Sequence, residues 1–163
     1  MTKPIIIQYR RKRAGRTDYR KRLVMLKSAM PRLVVRASNK SVQAQIVSYD
    51  PDGDKVLVTA RATDLRKLGW KGATGNTPAA YLTGLLLASK FKGKMDGDAI
   101  LDIGLHTHHK GGRIYAVAKG ALDGGLAVRV SEDVLPAQER VDGAHINDGL
   151  AQQVAAVKSK IQK

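Results

Sequence analysis

RLVVRASNKSVQAQIVSYDPDGDKVLVTAR, residues 32–61, sets the architecture of this chain. Leu33, Val35 and Ala37 alternate with Val34 and Arg36. Val42, Ala44 and Ile46 alternate with Gln43, Gln45 and Val47. A period of two is that of a strand with one face buried. Asn39-Lys40-Ser41 is a short turn between the two runs, and Asp50-Pro51-Asp52-Gly53-Asp54 is a strong turn signal before the third, KVLVTAR at 55–61. Three strands joined by short turns read as an antiparallel meander.

Downstream the period turns helical. Thr63-Asp64 caps a short helix to Leu68, and GWKGATGN (69–76) is a Gly-rich loop. Asn76 or Thr77 is an N-cap, with Pro78 in the first turn of a helix running from about Pro78 to Phe91. Leu82, Leu85, Leu86 and Leu87 make that helix apolar on most sides, so it is expected to be buried. AILDIGL (99–105) reads as a fourth strand covered on both faces. HTHHKGG (106–112) is a loop, residues 113–125 a helix, and LAVRVS (126–131) a fifth strand. Ile146, Leu150, Val154, Val157 and Ile161 then form a helical stripe. The order βββαβαβ predicts a three-layer α/β/α fold around a mixed five-stranded sheet. The expected organisation is a basic arm over 1–16, one α/β domain with a basic N-terminal helix over 17–145, and a C-terminal helical tail over 146–163.

The first forty residues carry nearly all of the excess charge. Residues 1–40 hold thirteen Lys or Arg and one acid, Asp18, a net of +12 out of +15 for the chain. The other 123 residues carry 16 basic and 13 acidic side chains, a net of +3. Such a basic arm repels itself unless a polyanion neutralises it. Nucleic acid does so with release of counterions. KPIIIQYRRKRAGR (3–16) reads as an extended arm. Thr17-Asp18 offers an N-cap for a helix ended by Pro31, with Tyr19, Leu23, Leu26 and Met30 on one face, an apolar side to dock, and Arg16, Arg20 and Lys27 on another, Arg22 beside them. Tyr9 and Tyr19 sit among these cations and can stack on unpaired bases, which favours RNA over duplex DNA.

Composition closes off several classes. The chain of 163 residues is long enough for one domain with a core. It has no cysteine, so disulfides, thiolate zinc sites and cysteine nucleophiles are excluded. Its apolar runs are too short to span a bilayer, and its start has no secretory signal, so a soluble, cytoplasmic protein is expected. The arm lacks the bulky apolar face that membrane-surface binding usually adds.

The chemical motifs are sparse. Asp50, Asp52 and Asp54 imitate the start of a calcium loop, but Lys55 and Arg61 stand where Gly and Glu are needed. GWKGATGN is neither a Walker A loop nor a dinucleotide fingerprint. What remains is a helix N-terminus that favours phosphate, with Lys71, Thr74, Asn76 and Thr77 as donors and Trp70 as a stacking surface. The alternative is a capped loop with Trp70 in the core. His106, His108 and His109 beside Asp102 lack the rest of a metal pattern and read as loop histidines near Lys110 and Arg113. No cofactor is expected.

Three blocks of sequence go further: residues 9–47 (YRRKRAGRTDYRKRLVMLKSAMPRLVVRASNKSVQAQIV), 69–88 (GWKGATGNTPAAYLTGLLLA) and 99–107 (AILDIGLHT). Together they resemble the archaeal and eukaryotic type of the universal large-subunit ribosomal protein eighteen family, over about Tyr9 to Ile146. The resemblance implies a ribonuclease H-like α/β/α layout. It implies a structural protein that binds 5S ribosomal RNA and attaches it to the large-subunit RNA in the central protuberance, beside neighbouring ribosomal proteins. The family's RNA-contacting arm falls on Tyr9, Arg10, Arg11, Lys12, Arg13, Thr17, Tyr19, Arg20 and Arg22, and its hairpin turn on Asn39 and Lys40. HTHHK departs from the family pattern.

Two other functions compete. One is a metal-dependent nuclease, which needs several carboxylates converging on one cavity, where only Asp102 is well placed. The other is a basic RNA chaperone without selectivity. The candidate RNA-binding set is the family's eleven positions together with Arg16, Lys27, Trp70, Lys71, Thr74 and Asn76.

Overall fold

The computed structural model describes residues 6–91, 97–147 and 149–162. The meander forms as the alternation requires. Strands β1 (Arg32–Ala37), β2 (Val42–Ser48) and β3 (Lys55–Arg61) pair antiparallel in sequence. In the β1–β2 register Leu33 faces Ile46 and Val35 faces Ala44. All four are fully buried, so one face of the hairpin is a core wall.

Helix α3 (Thr77–Phe91) crosses from β3 to β4 (Ala99–Asp102), which pairs parallel with β1. Helix α4 (Arg113–Asp123) then leads to β5 (Val128–Arg129), parallel to β4. The result is a mixed five-stranded sheet, order β3-β2-β1-β4-β5, the α/β fold expected. The Asn76 side chain caps α3 by accepting the Ala79 N–H at 3.0 Å. Twelve of the fifteen α3 residues are buried. Helix α3 packs on β2 and β3 while α4 packs on β1 and β5, so the two cover one face of the sheet.

Beyond α3 the elements differ from expectation in four places. The fourth strand stops at Asp102 because its carboxylate accepts the Gly104 N–H at 2.8 Å and turns the chain. Its central Ile100 and Leu101 are only half-buried. The fifth strand is two residues long. The segment after it adds a 3-10 turn (Glu132–Val134) and helix α5 (Gln138–Asp142), neither of which the hydrophobic pattern announces. The last helix, α6 (Leu150–Gln162), buries Leu150, Val154, Val157 and Ile161 against α3 and the 3-10 helix Ala62–Leu68. Ile146 lies outside it and is exposed.

The opposite face of the sheet carries a thinner layer, helix α2 (Tyr19–Leu26) preceded by one helical turn, α1 (Arg10–Arg13). Between this layer and the sheet lies a cleft of about 1100 Å³.

Candidate nucleic-acid interface

The arm is not extended where its charge is densest. Arg10–Arg13 makes one helical turn, closed by the Arg13 N–H donating to the Tyr9 carbonyl. The Arg11 Nε–H donates to the Thr17 hydroxyl at 2.8 Å, and the Tyr9 and Tyr19 rings lie 5.3 Å apart, tilted by 38°. Contacts between aromatic rings and side-chain bonds, rather than an extended backbone, thus fold the arm back on α2.

Helix α2 starts where the sequence predicts, with the Asp18 carboxylate accepting the N–H groups of Arg20 and Lys21. It ends sooner, at Leu26 rather than before Pro31. The Ser28 hydroxyl bonds the Met25 carbonyl and accepts the Met30 N–H, and Ala29 takes a left-handed φ of 55°. A serine that offers the backbone other partners competes with the helix. The expected apolar docking face does not form a seam: no α2 residue is buried, and Leu23 and Val24 are 56% and 69% exposed.

A line of alternating charges forms the floor of the cleft. Arg22 grips Asp54 with both guanidinium ends, at 2.9 and 2.8 Å. Asp54 also accepts from Arg32 at 2.6 Å, Arg32 donates to Asp102 at 3.0 Å, and Asp102 accepts from Arg36 at 3.1 Å. Arg32 and Asp102 are 3% and 4% exposed. Burial pushes the Asp54 carboxyl up, but the bonds from Arg22 and Arg32 outweigh it and hold the group below its ordinary value of 3.8. A carboxylate with a lowered folded pKa stabilises fully above its unfolded value and loses that contribution as pH falls through the folded one. The Arg22–Asp54–Arg32 bridge is therefore held through neutral pH and is lost only in acid, as Asp54 takes up its proton below the usual carboxylate range. Arg22, predicted to face RNA, is committed to this line.

Tyr19, Arg20, Val24, Val34, Gln45 and Val56 are among the residues around the cleft. Above it, Arg10, Lys12, Arg13, Arg16, Arg20 and Lys27 are exposed and make no ion pair among the described residues.

The other predicted residues gather in a second group, at the β1–β2 turn. The Thr74 hydroxyl donates to the Lys40 carbonyl at 2.6 Å, and a Cβ on Gly75 would lie 2.6 Å from the Asn39 carbonyl oxygen. Arg113 joins the two loops by donating to the Ser38 and Gly75 carbonyls, both at 2.9 Å. Asn39, Lys40 and Lys71 are exposed there. Trp70 is not: it is 3% exposed, with its Nε1–H donating to the Ala73 carbonyl. Its ring fills the core and offers no stacking surface, and Thr74 is likewise buried as a loop brace. The sequence missed Arg113 and Asp54, whose partners lie 22 or more residues away.

The histidines serve structure as well. The His106 Nε2 accepts the Ala37 N–H, and His108 hydrogen-bonds the Tyr115 hydroxyl across edge-on rings. No group of ligands able to hold a metal occurs among the described residues, and Asp102 is taken up by two arginines. No helix among the described residues is long and apolar enough to cross a membrane.

Fold and surface together define a cationic α/β protein whose arm and first helices turn unpaired cations outward. Known proteins narrow this class. The family described as "Ribosomal large subunit proteins 60S L5, and 50S L18" matches residues 5–100. The chain is 48% identical over 141 residues to the large ribosomal subunit protein uL18 of Methanoregula boonei, covering 86% of this chain and 81% of that one. It is 50% identical over 141 residues to the uL18 of Caldivirga maquilingensis, covering 86% and 68%. The chain belongs to this family of large-subunit ribosomal proteins, as the sequence resemblance implied.

Proposed function

We propose that this large-subunit ribosomal protein binds 5S ribosomal RNA and attaches it to the large-subunit RNA in the central protuberance. Its role is structural and involves no catalysis; its place is the ribosome in the cytoplasm. The observation that carries the reading is the charge of the first forty residues, +12 with a single acid, and that acid is spent on capping a helix. The free cations on α1, on α2 and beside them, Arg10, Lys12, Arg13, Arg16, Arg20 and Lys27, take phosphates. Tyr9 and Tyr19 offer a paired aromatic surface to unstacked bases. Asn39, Lys40 and Lys71 form a second contact at the hairpin end. Arg11, Thr17 and Arg22 shape the arm from within, and Thr74 and Asn76 build the loop that supports Lys40.

The test is a salt titration of the purified protein with 5S ribosomal RNA, using transfer RNA as competitor. The reading expects selective binding that weakens steeply with salt. Equal, weak affinity for both RNAs would leave a non-selective basic protein instead.

A further inference from the structure

We propose that Asp54 is a positioning residue for RNA: a carboxylate in the β2–β3 turn that clamps helix α2 to the sheet and fixes how its free cations are presented. The inference rests on the proposal that the arm and α2 hold RNA. It begins from a deficit. Helix α2 buries no residue, so no apolar seam sets its orientation. Among the described residues, the side-chain bonds joining α2 to the sheet layer are the two from Arg22 to Asp54. A two-pronged guanidinium–carboxylate pair fixes angle as well as distance.

Asp54 is itself braced. Arg32 donates to it from β1 at 2.6 Å and is tied in turn to Asp102 on β4 at 3.0 Å. Arg32 is 3% exposed and its Nε has no partner, so it has no free route to water if Asp54 loses its charge. Three arginines and two aspartates then become three arginines and one aspartate. Arg22 and Arg32, which Asp54 bridges, repel each other, and the helix is the part free to leave.

The consequence runs against simple charge. Asp54→Asn makes a basic protein more basic, and phosphate attraction alone then expects tighter RNA binding. Loss of the clamp expects the reverse for the RNA whose shape the helix matches, because the cost of ordering α2 moves into the binding step.

The experiment compares wild type, Asp54→Asn, Asp54→Glu, Arg22→Gln and Arg20→Gln. Each is titrated with 5S ribosomal RNA and with transfer RNA, and amide hydrogen exchange is followed in α2 and in β1–β2. For Asp54→Asn the expected result is faster exchange in α2 and about tenfold weaker 5S binding, with transfer-RNA binding undiminished. Asp54→Glu keeps the carboxylate and restores 5S affinity. If Asp54→Asn loosens the sheet as well, the two arginine variants decide. They remove the same charge from the same helix, but Arg20→Gln loses a phosphate contact and keeps the clamp, while only Arg22→Gln breaks it, so Arg22→Gln must lose more α2 protection. Unchanged α2 exchange, 5S binding by Asp54→Asn as tight as wild type or tighter, or equal α2 protection in the two arginine variants would overturn the clamp. A wild type with no preference for 5S RNA would instead sink the proposed function, while the exchange data still read the clamp.

Discussion

A methyl group at Gly84 has nowhere to go. A Cβ there would lie 2.0 Å from the Val117 carbonyl oxygen, and one at Gly120 would lie 2.0 Å from that of Tyr81. The two glycines are reciprocal, one on α3 and one on α4, and they let the helix backbones touch. Alanine gains up to about 1 kcal/mol of helix propensity over glycine. Overpacking a core costs ~1–3 kcal/mol, and the obstacle here is backbone, which cannot swing aside as a side chain does. Gly84→Ala and Gly120→Ala are therefore expected to destabilise by about 2 kcal/mol net, a fall in Tm of roughly 4–8 °C. An unchanged Tm would show that the helices slide apart freely. The sequence showed Gly84 and its small neighbours within a helix expected to be buried. It did not show which helix they meet, because Gly84 and Val117 are brought together by the sheet crossover and not by any local pattern. The same reason hid Asp54 and Arg113: a turn aspartate and a loop-facing arginine look like solvated charges until distant partners are placed beside them.

At the scale of elements, legibility followed amphipathic period. The β1–β2–β3 meander and α3 came out nearly residue for residue, because alternation and caps are local physics. Helix α2 had a helical period too, yet its apolar side stayed open, since a stripe states what an element can bury and not what is there to bury it. The C-terminal stripe went the other way. Its placement was open in the sequence, and α6 docks on α3 and the 3-10 helix Ala62–Leu68, with the Ser89 hydroxyl bonding the Ile161 carbonyl and Lys160 bonding that of Leu68. One measurement separates the stripe from the docking. Val157 is 2% exposed and Ile146 is 48% exposed. Losing two buried methyl groups and leaving a small void costs about 2 kcal/mol, so Val157→Ala is expected to lower stability by that amount in urea unfolding. Ile146→Ala, though part of the same sequence stripe, is expected to stay within about 0.5 kcal/mol. Equal costs at both positions would place α6 elsewhere.

For the whole molecule, charge distribution is the governing quantity. Residues 41 onward are nearly balanced at +3, whereas residues 1–40 carry +12; Arg22, Arg32 and Arg36 of that stretch are paired with Asp54 and Asp102, and its unpaired cations contribute little but repulsion until a polyanion neutralises them. This makes the ionic-strength dependence of binding a census of engaged phosphates. If about eight are neutralised, the slope of log affinity against log salt is about −6 to −7. Arg10, Arg11, Lys12 and Arg13 stand on one exposed turn with no acid nearby, and replacing all four by alanine is expected to remove roughly three to four from that slope. Arg11 sets the lower figure, since its Nε–H is already held by Thr17. Stability is expected to move little, because none of the four is buried and the core begins at β1. A flattened slope with an unchanged unfolding curve would assign the arm to RNA and the sheet to support. A slope that stays steep after the substitution would mean that the phosphates are held by α2 and the hairpin end, and that the most basic stretch of the chain has another task.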